Sequence, residues 1–203
     1  TAHALRALNA WRDWFPDRDI EDATERGLEF LAKRQRSDGS WCPLWFGNQY
    51  RADEENPVYG TARVLLAYRD LGQIDSSPAR RGLLWLMKNA DCGGGWGGGA
   101  GKASDVAPSG MSSVEETALA VEALLTTRND ETFQPTLEEG IQWLLEAVRT
   151  GRHRESAPIG FYFARLWYYE KVYPLAFTVA ALGRALRQFS TRSSDEREQN
   201  SGS

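Results

Sequence analysis

Two stretches that lie 55 residues apart decide the fold: RGLEFLAKRQRSDGSW at 26–41 and RGLLWLMKNADCGGGW at 81–96. Both begin Arg-Gly-Leu-x-aromatic-Leu and then place a Gly and a Trp at the same offsets. A third copy begins EGIQWLLEAV at 139–148 and lacks the Gly-x-Trp ending. Because self-similarity at a fixed period is typical of stacked structural units, each copy predicts one such unit.

A second series of similar segments alternates with the first. Its members begin with Thr and continue with small and apolar residues, at 1–8, 61–68, 117–124 and 178–186. Apolar residues in both series recur at helical spacing, and strand signals are almost absent. The pattern predicts an all-α chain of seven helices in antiparallel hairpins, with the Ala-rich second series inside and the more charged first series outside. An α/α toroid or an α-solenoid of alternating inner and outer helices follows.

Capping signals predict where the helices begin and end. Acidic residues or serines stand before three of them, and Gly72 follows another. The predicted bounds include 22–35, 59–71, 79–90, 114–127 and 137–148. We expect one domain over 1–189, whereas 190–203 has no apolar residue and is predicted to be a disordered tail.

Composition excludes several classes of protein. The 24 basic and 28 acidic residues give a net charge of −4, which argues against a nucleic-acid partner. No apolar run is long enough to span a bilayer, and the first residues show no signal-peptide pattern, so a cytoplasmic location is expected. Cys42 and Cys92 give neither a disulfide framework nor a metal-ligand spacing. The Gly-rich run 93–101 is not a phosphate loop, because Ala103 follows Lys102 where a Ser or Thr is needed.

The first repeat resembles the QW motif of squalene–hopene and related triterpene cyclases. The positions that fit this motif are Arg26, Gly27, Phe30, Leu31, Gln35, Gly39 and Trp41. The second copy keeps Arg81, Gly82, Trp85, Leu86, Gly94 and Trp96, and Ala90 replaces the Gln. The resemblance covers most of 1–188 and matches the C-terminal portion of the catalytic domain of such a cyclase.

The motif has a structural interpretation of its own. Gln35 carries two amide donors and one acceptor, which can bond the end of a helix and the turn that follows. Gly39 permits that turn, and the Trp41 ring can pack across the next hairpin while its N–H finds a carbonyl. Gly94 and Trp96 hold the same places in the second copy. We therefore interpret these residues as a structural clip between outer helices and not as catalytic groups.

The resemblance implies that the full protein cyclises a linear C30 polyprene such as squalene by protonation and a carbocation cascade, with no metal or organic cofactor. The family uses an Asp-x-Asp-Asp cluster as the acid. The nearest sequence here, DRDIED at 17–22, has Ile20 where an Asp is required. We expect the acid upstream and this chain to be inactive alone. The acidic pairs at 53–55, 115–116 and 138–139 are interpreted as solvated faces or helix starts.

Carbocations need aromatic faces, because the ring quadrupole stabilises a cation without offering a base. Seven aromatics occur within 161–173. By resemblance, Phe161, Tyr162 and Trp45 match cavity aromatics, and Tyr59 matches a Tyr that positions or reprotonates the acid through water. Trp167 and Tyr168 are further cavity candidates, with core packing as the alternative for each of these side chains. Two departures from the family stand out: Ala157 stands in place of a Phe, and one residue is inserted between Phe161 and Pro174.

Two other functions stay open. Protein prenyltransferase β-subunits share the toroid but need zinc ligands, and only His3 and His153 are present, while Asp91 and Cys92 are adjacent rather than spaced as ligands. A non-catalytic toroid protein that binds isoprenoids or other lipids is the second alternative. The expected partners are a polyprene lipid, a membrane surface that the full-length protein contacts peripherally, and further copies of this chain through its open inner layer.

Overall fold

The structure is a computed structural model. It describes residues 1–14, 18–48, 51, 53–97, 112–127, 129–155, 157–161 and 166–200. Within these ranges, the side chains of 18, 157–161, 166–169 and 191–200 lie outside the description.

Seven α-helices account for most of the described chain. They are α1 (Ala2–Trp11), α2 (Arg18–Arg34), α3 (Pro57–Asp70), α4 (Ser77–Lys88), α5 (Val114–Leu124), α6 (Gln134–Arg149) and α7 (Val172–Asn200). Single 3₁₀ turns follow α5 at Leu125–Thr127 and α6 at Arg152–Arg154. The predicted set of seven helices is confirmed for the described residues, with bounds that shift by a few residues at most, except where α7 is longer at both ends.

Two inner helices, α3 and α5, begin where the sequence supplies a side-chain cap. At α3, the side-chain oxygen of Asn56 accepts a hydrogen bond of 2.9 Å from the N–H of Tyr59, and Pro57 fills the first turn. At α5, the Ser113 hydroxyl accepts one of 3.1 Å from the N–H of Glu116. These caps place the first turns of α3 and α5 in defined positions, which matters because both turns line a pocket.

Helices α1, α3, α5 and α7 contact one another in that order and form one layer. Helices α2, α4 and α6 lie outside this layer and pack against the inner helices beside them. Most residues of α3 and α5 are buried, because apolar and small side chains surround both helices on nearly every side. The predicted alternation of inner and outer helices is thereby confirmed.

A β-hairpin is the element that the sequence analysis missed. Strand β1 (Ala157–Phe161) pairs antiparallel with β2 (Leu166–Glu170), with Ala157 opposite Glu170. The predicted all-α class holds for the rest of the described chain, and these two strands form where aromatic residues favour the pleated backbone.

The end of the chain also differs from expectation. The structure continues α7 to Asn200, where the sequence predicts a disordered tail from 190. The segment 191–200 has no apolar residue to pack, yet it carries Arg, Glu and Gln, which favour helix, and neither Gly nor Pro. Local helix propensity therefore extends α7, and 201–203 lie outside the described residues.

Candidate functional site

The Trp41 side chain joins the first two hairpins. Its indole N–H donates a hydrogen bond of 2.7 Å to the carbonyl of Leu31 in α2. Its backbone N–H donates one of 2.9 Å to the hydroxyl of Thr61 in α3. The ring is buried, and a Cβ added to Gly82 of α4 would lie 2.7 Å from its Cζ3 atom. Three helices thus converge on one indole.

Gln35 braces the same junction from the outside. Its side-chain amide donates hydrogen bonds to the carbonyls of Gly39, at 2.8 Å, and Pro78, at 2.9 Å. The Arg81 guanidinium donates to the oxygen of that amide. Gly39 adopts a φ of +98°, and an added Cβ would come within 2.7 Å of the Arg81 carbonyl oxygen. Only Gly fits this turn without strain.

The second repeat builds the same junction around Trp96. Its indole N–H donates to the Leu86 carbonyl at 2.8 Å, and its backbone N–H donates to the Thr117 hydroxyl at 2.9 Å. Gly94 has a φ of +82°, and a Cβ there would lie 2.7 Å from the carbonyl oxygen of Glu139. Gly39, Trp41, Gly94 and Trp96 therefore act through packing and hydrogen bonds to the backbone of neighbouring helices.

The six cavity candidates have different environments. Trp45 is 54% exposed, and the structure does not bring it to the pocket described below. Tyr59 is half-buried and lines that pocket. Phe161 lies in β1, whereas Trp167 and Tyr168 lie in β2, as strand and not helix residues. Tyr162 and the side chains of Phe161, Trp167 and Tyr168 lie outside the description. Of the two candidates whose side chains are described, the structure places Tyr59 at a pocket.

A pocket of about 60 Å³ lies where the first turns of α3, α5 and α7 meet. Two aromatic pairs form much of its lining. The rings of Phe46 and Tyr59 stack with centroids 4.7 Å apart, and those of Tyr173 and Phe177 lie 5.4 Å apart at a tilt. Phe46 and Phe177 are not among the sequence candidates, because the resemblance matches other aromatic residues to the cavity.

Arg63 holds two of these rings together. Its guanidinium carbon lies 5.2 Å from the centroid of Tyr59 and 4.8 Å from that of Phe177. Contacts at this distance are attractive because the ring faces carry partial negative charge. Arg63 therefore ties α3 to α7 beside the pocket, while burial, together with the nearby charges of Arg63 and Arg6, lowers the pKa of His3.

Two adjacent carboxyl groups lie at the same pocket and have different environments. Glu116 accepts hydrogen bonds from the Ser113 hydroxyl at 2.6 Å and from the Asn48 amide at 3.1 Å. Glu115 has a buried Oε1 atom with no hydrogen-bond partner among the described residues. Burial, and to a smaller extent the charge of Glu116, raises the pKa of Glu115 from 4.5 to about 7.

The structure corrects the interpretation of this pair. Glu116 does serve as part of a helix start, because its backbone N–H donates to the Ser113 hydroxyl and that hydroxyl donates in turn to the Glu116 carboxylate. Glu115 does not form a solvated face, because it lines the pocket. The sequence contains a signal for the buried position of Glu115. When α3 and α5 are aligned on Thr61 and Thr117, Tyr59 and Glu115 both stand two residues before the aligned Thr.

Among the described residues, no three His, Cys, Asp or Glu side chains come together in a way that could hold a metal ion. No helix in the described part of the chain is both long and apolar enough to cross a membrane.

Comparison with known proteins decides the family. Residues 1–187 match the family model described as the squalene-hopene cyclase C-terminal domain. The chain belongs to this family. Squalene-hopene cyclase domains of this kind are parts of class II terpene cyclases, so the resemblance found in the two repeats is confirmed and the prenyltransferase interpretation loses its support.

Three relatives in this cyclase family illustrate its range. The chain is 30% identical to "Enfumafungin synthase efuA" of Hormonema carpetanum, over 73% of this chain and 10% of that protein. It is 28% identical to "Copalyl diphosphate synthase" of Streptomyces cyslabdanicus, over 94% and 32%. It is 29% identical to "Probable squalene--hopene cyclase" of Sinorhizobium fredii, over 75% and 24%. The chain thus spans a third or less of each relative.

A solved structure supports the cyclase fold. The ent-copalyl diphosphate synthase from Streptomyces platensis superposes with a TM-score of 0.60, over 90% of this chain and 32% of that one. The two sequences are 23% identical in this comparison, so the likeness concerns the fold alone. The predicted α/α toroid architecture is confirmed by it.

Proposed function

We propose that the whole protein containing this chain cyclises a linear C30 polyprene, squalene, by proton-initiated carbocation chemistry. The observation that carries the proposal is the aromatic pocket at the first turns of three inner helices, in a chain of the squalene-hopene cyclase family. Stacked rings at Phe46 and Tyr59 would stabilise a cation through their faces and would not remove its protons.

Tyr59 has a further proposed role, in positioning or reprotonating the acid through water. Trp45, Phe161, Tyr162, Trp167 and Tyr168 are proposed as the remaining cavity aromatics. The acid itself is proposed to come from the rest of the protein, since residues 1–203 contain no Asp-x-Asp-Asp sequence. Substrate would be taken up at a membrane face, because a polyprene hydrocarbon is concentrated there and not in water.

A specific observation favours a second substrate class, a linear prenyl diphosphate. The relative aligned over 94% of this chain is named a copalyl diphosphate synthase, and the guanidinium of Arg63 lies over two rings of the aromatic pocket. A diphosphate needs such cationic groups, whereas a hydrocarbon does not.

The experiment is an incubation of the whole purified protein with squalene and, separately, with linear prenyl diphosphates of several lengths. Products are identified by gas chromatography and mass spectrometry. We expect cyclic C30 products from squalene, and none from residues 1–203 used alone. Cyclic products from the diphosphates alone would select the second substrate class. Absence of any cyclic product from either class would contradict the proposal, in favour of a non-catalytic lipid-binding protein.

The exposed side chains of α7 support the proposed association of this chain with other apolar partners. Three apolar residues of α7 stand seven positions apart on one face of the helix, and each is more than half exposed: Val172, Val179 and Leu186. We expect light scattering to detect species larger than a monomer for residues 1–203. A strictly monomeric chain that binds no apolar dye would contradict this proposal.

A further inference from the structure

The first turns of α3 and α5 bring a phenol and a carboxyl group to one pocket. Tyr59 of α3 and Glu115 of α5 both stand two residues before the Thr that receives the hydrogen bond of a repeat Trp. Both side chains line the pocket of about 60 Å³. That volume is too small for a whole polyprene, but it holds a few water molecules, since one water needs about 10–15 Å³. The two groups therefore share a space across which water can carry a proton.

Glu115 is the member of the glutamate pair that is placed to exchange a proton. Glu116 accepts hydrogen bonds from Ser113 and Asn48, at 2.6 Å and 3.1 Å. The Oε1 atom of Glu115 is buried and receives no hydrogen bond from the described residues. Burial, and to a smaller extent the charge of Glu116, raises the pKa of Glu115 to about 7, so both of its protonation states are populated near neutral pH.

A second pocket shares a lining residue with the first. It has a volume of about 200 Å³ and lies beside the turn after α4, where Asn89 is exposed. Arg51 and Asp91 are among its polar lining residues, and Glu116 lines both pockets. This shared glutamate gives protons a polar route from the exposed side of the chain towards Glu115.

The proposed chemistry uses one proton of the acid in every cycle. The acid gives its proton to the terminal alkene, whose electron pair forms the new C–H bond, and it is left as a carboxylate. It has to regain a proton before the next substrate molecule reacts. The proposed place of the acid, beside Tyr59, has aromatic walls at Phe46 and Tyr59, which keep bulk water away. A positioned proton donor therefore speeds this step.

We propose that Glu115 supplies the proton that resets the acid, with Tyr59 as the carrier between them, a role that rests on the proposed cyclase function. The Glu115 carboxylic acid gives its proton through pocket water to the Tyr59 oxygen, while the Tyr59 hydroxyl proton passes to the carboxylate of the acid. Glu115 is now a carboxylate and regains a proton from water. The substrate loses one proton to the solvent when the cascade ends, so each cycle consumes no net proton.

The raised pKa of Glu115 suits a donor at the start of the cascade. An acid that is protonated near neutral pH has a pKa close to that of Glu115, so the transfer between them is not strongly uphill. Protonated Glu115 also offers no base to the first cation, which forms beside Tyr59. A carboxyl group at this place thus donates to the acid without neutralising the new cation.

The first test compares a single turnover with repeated turnover in the whole protein. In Glu115→Gln the amide keeps the shape of the side chain but carries no acidic proton. With enzyme in excess over squalene, the acid starts protonated, so the first turnover should stay within about two-fold of the wild-type rate. With squalene in excess, we expect kcat to fall about ten-fold or more and the product ratio to stay the same, because every later cycle waits for the proton.

The outcomes separate the relay from the proposed function. If the wild-type protein yields no cyclic product, the proposed function fails. If the wild-type is active and Glu115→Gln keeps its kcat, the relay alone is overturned. Loss of the first turnover in Glu115→Gln also overturns it, because a structural role would slow both regimes. The matched control is Glu138→Gln, which removes an exposed carboxyl group of α6 and should leave both rates unchanged.

The pH profile gives a readout that a structural role would not move. The wild-type kcat should fall as the pH rises through about 7, because Glu115 loses the proton that it donates. Glu115→Gln should lose this step, although Glu116, Tyr59 and Tyr173 still line the pocket and Arg63 still contacts the Tyr59 ring. Glu115→Asp keeps an acid and should recover part of the wild-type kcat. An identical pH profile in the wild-type and Glu115→Gln would overturn the relay.

Discussion

The first and second repeats build the same junction with different braces. Trp41 and Trp96 make matching pairs of hydrogen bonds, at 2.7 and 2.9 Å in the first repeat and at 2.8 and 2.9 Å in the second. The first repeat adds Gln35, whose amide reaches two carbonyls, while the second has Ala90 in that place. The difference teaches that the indole is the constant part of the junction and the amide is an addition to it.

Replacement of either indole should have the largest effect on the stability of the chain. We expect Trp41→Ala and Trp96→Ala each to lower the free energy of unfolding by about 3–5 kcal/mol, because each leaves a cavity and an unpaired carbonyl among three helices. Urea unfolding of the chain followed by circular dichroism measures the change. The control is Trp14→Ala, which removes a side chain that is 75% exposed. A much smaller loss for one of the two indoles would break the equivalence of the repeats.

The next largest effect on stability is expected at Glu115, which lines the pocket at the position that Tyr59 occupies in the first repeat. At pH 4.5 the Glu115 side chain is mostly protonated in the folded chain, and between 4.5 and about 7 only the unfolded chain releases the proton. The free energy of unfolding of the wild-type therefore falls by about 3 kcal/mol over this range through Glu115 alone. Glu115→Gln removes this term, so its stability relative to the wild-type should rise with pH until about 7.

The check is urea unfolding of both proteins at several pH values. Glu116, Tyr59 and Tyr173 face the same pocket and are present in both proteins, and the charge of Glu116 is one of the causes of the raised pKa of Glu115. Glu138→Gln, on an exposed face of α6, supplies the matched control. A stability difference that stays constant from pH 4.5 to 7 would mean that Glu115 is hydrated in solution.

The turn glycines should have a smaller and equal effect. We expect Gly39→Ala and Gly94→Ala each to cost about 1–3 kcal/mol, since both have positive φ and an added Cβ would press on a carbonyl of the next outer helix. Gly93→Ala is the control, because no atom lies within 4 Å of its added Cβ. Thermal unfolding measures all three variants. Tolerance of Ala at only one of the two turns would show that their geometries differ.

The repeats also explain how far the sequence could predict this molecule. Helical spacing and the shared Gly and Trp positions predicted seven helices and two layers, because these features depend on local pattern. The strands at 157–161 and 166–170 were not predicted, because their residues do not alternate between apolar and polar as those of a half-buried strand do. Glu115 was assigned to a solvated face because its burial comes from side chains on α3 and α7, which the sequence near Glu115 does not contain.

The smallest effect on stability is expected when Gln35 and its counterpart Ala90 are each replaced by the other's residue type. Gln35→Ala should cost about 1 kcal/mol, because it removes two hydrogen bonds to carbonyls and one from Arg81 at a half-buried site where water can replace part of them. Ala90→Gln should restore the brace to the second repeat and raise the free energy of unfolding by up to about 1 kcal/mol, through the carbonyl of Gly94. Urea unfolding of the two single variants and the double variant measures both changes. If the two changes in the free energy of unfolding add, the side chains at 35 and 90 act independently on two junctions with the same indole geometry.

A loss of stability in Ala90→Gln would show instead that other atoms fill the space that the amide needs. The Gly-rich turn after α4 would then pack differently from the turn after α2, and would be more than the first junction without its amide.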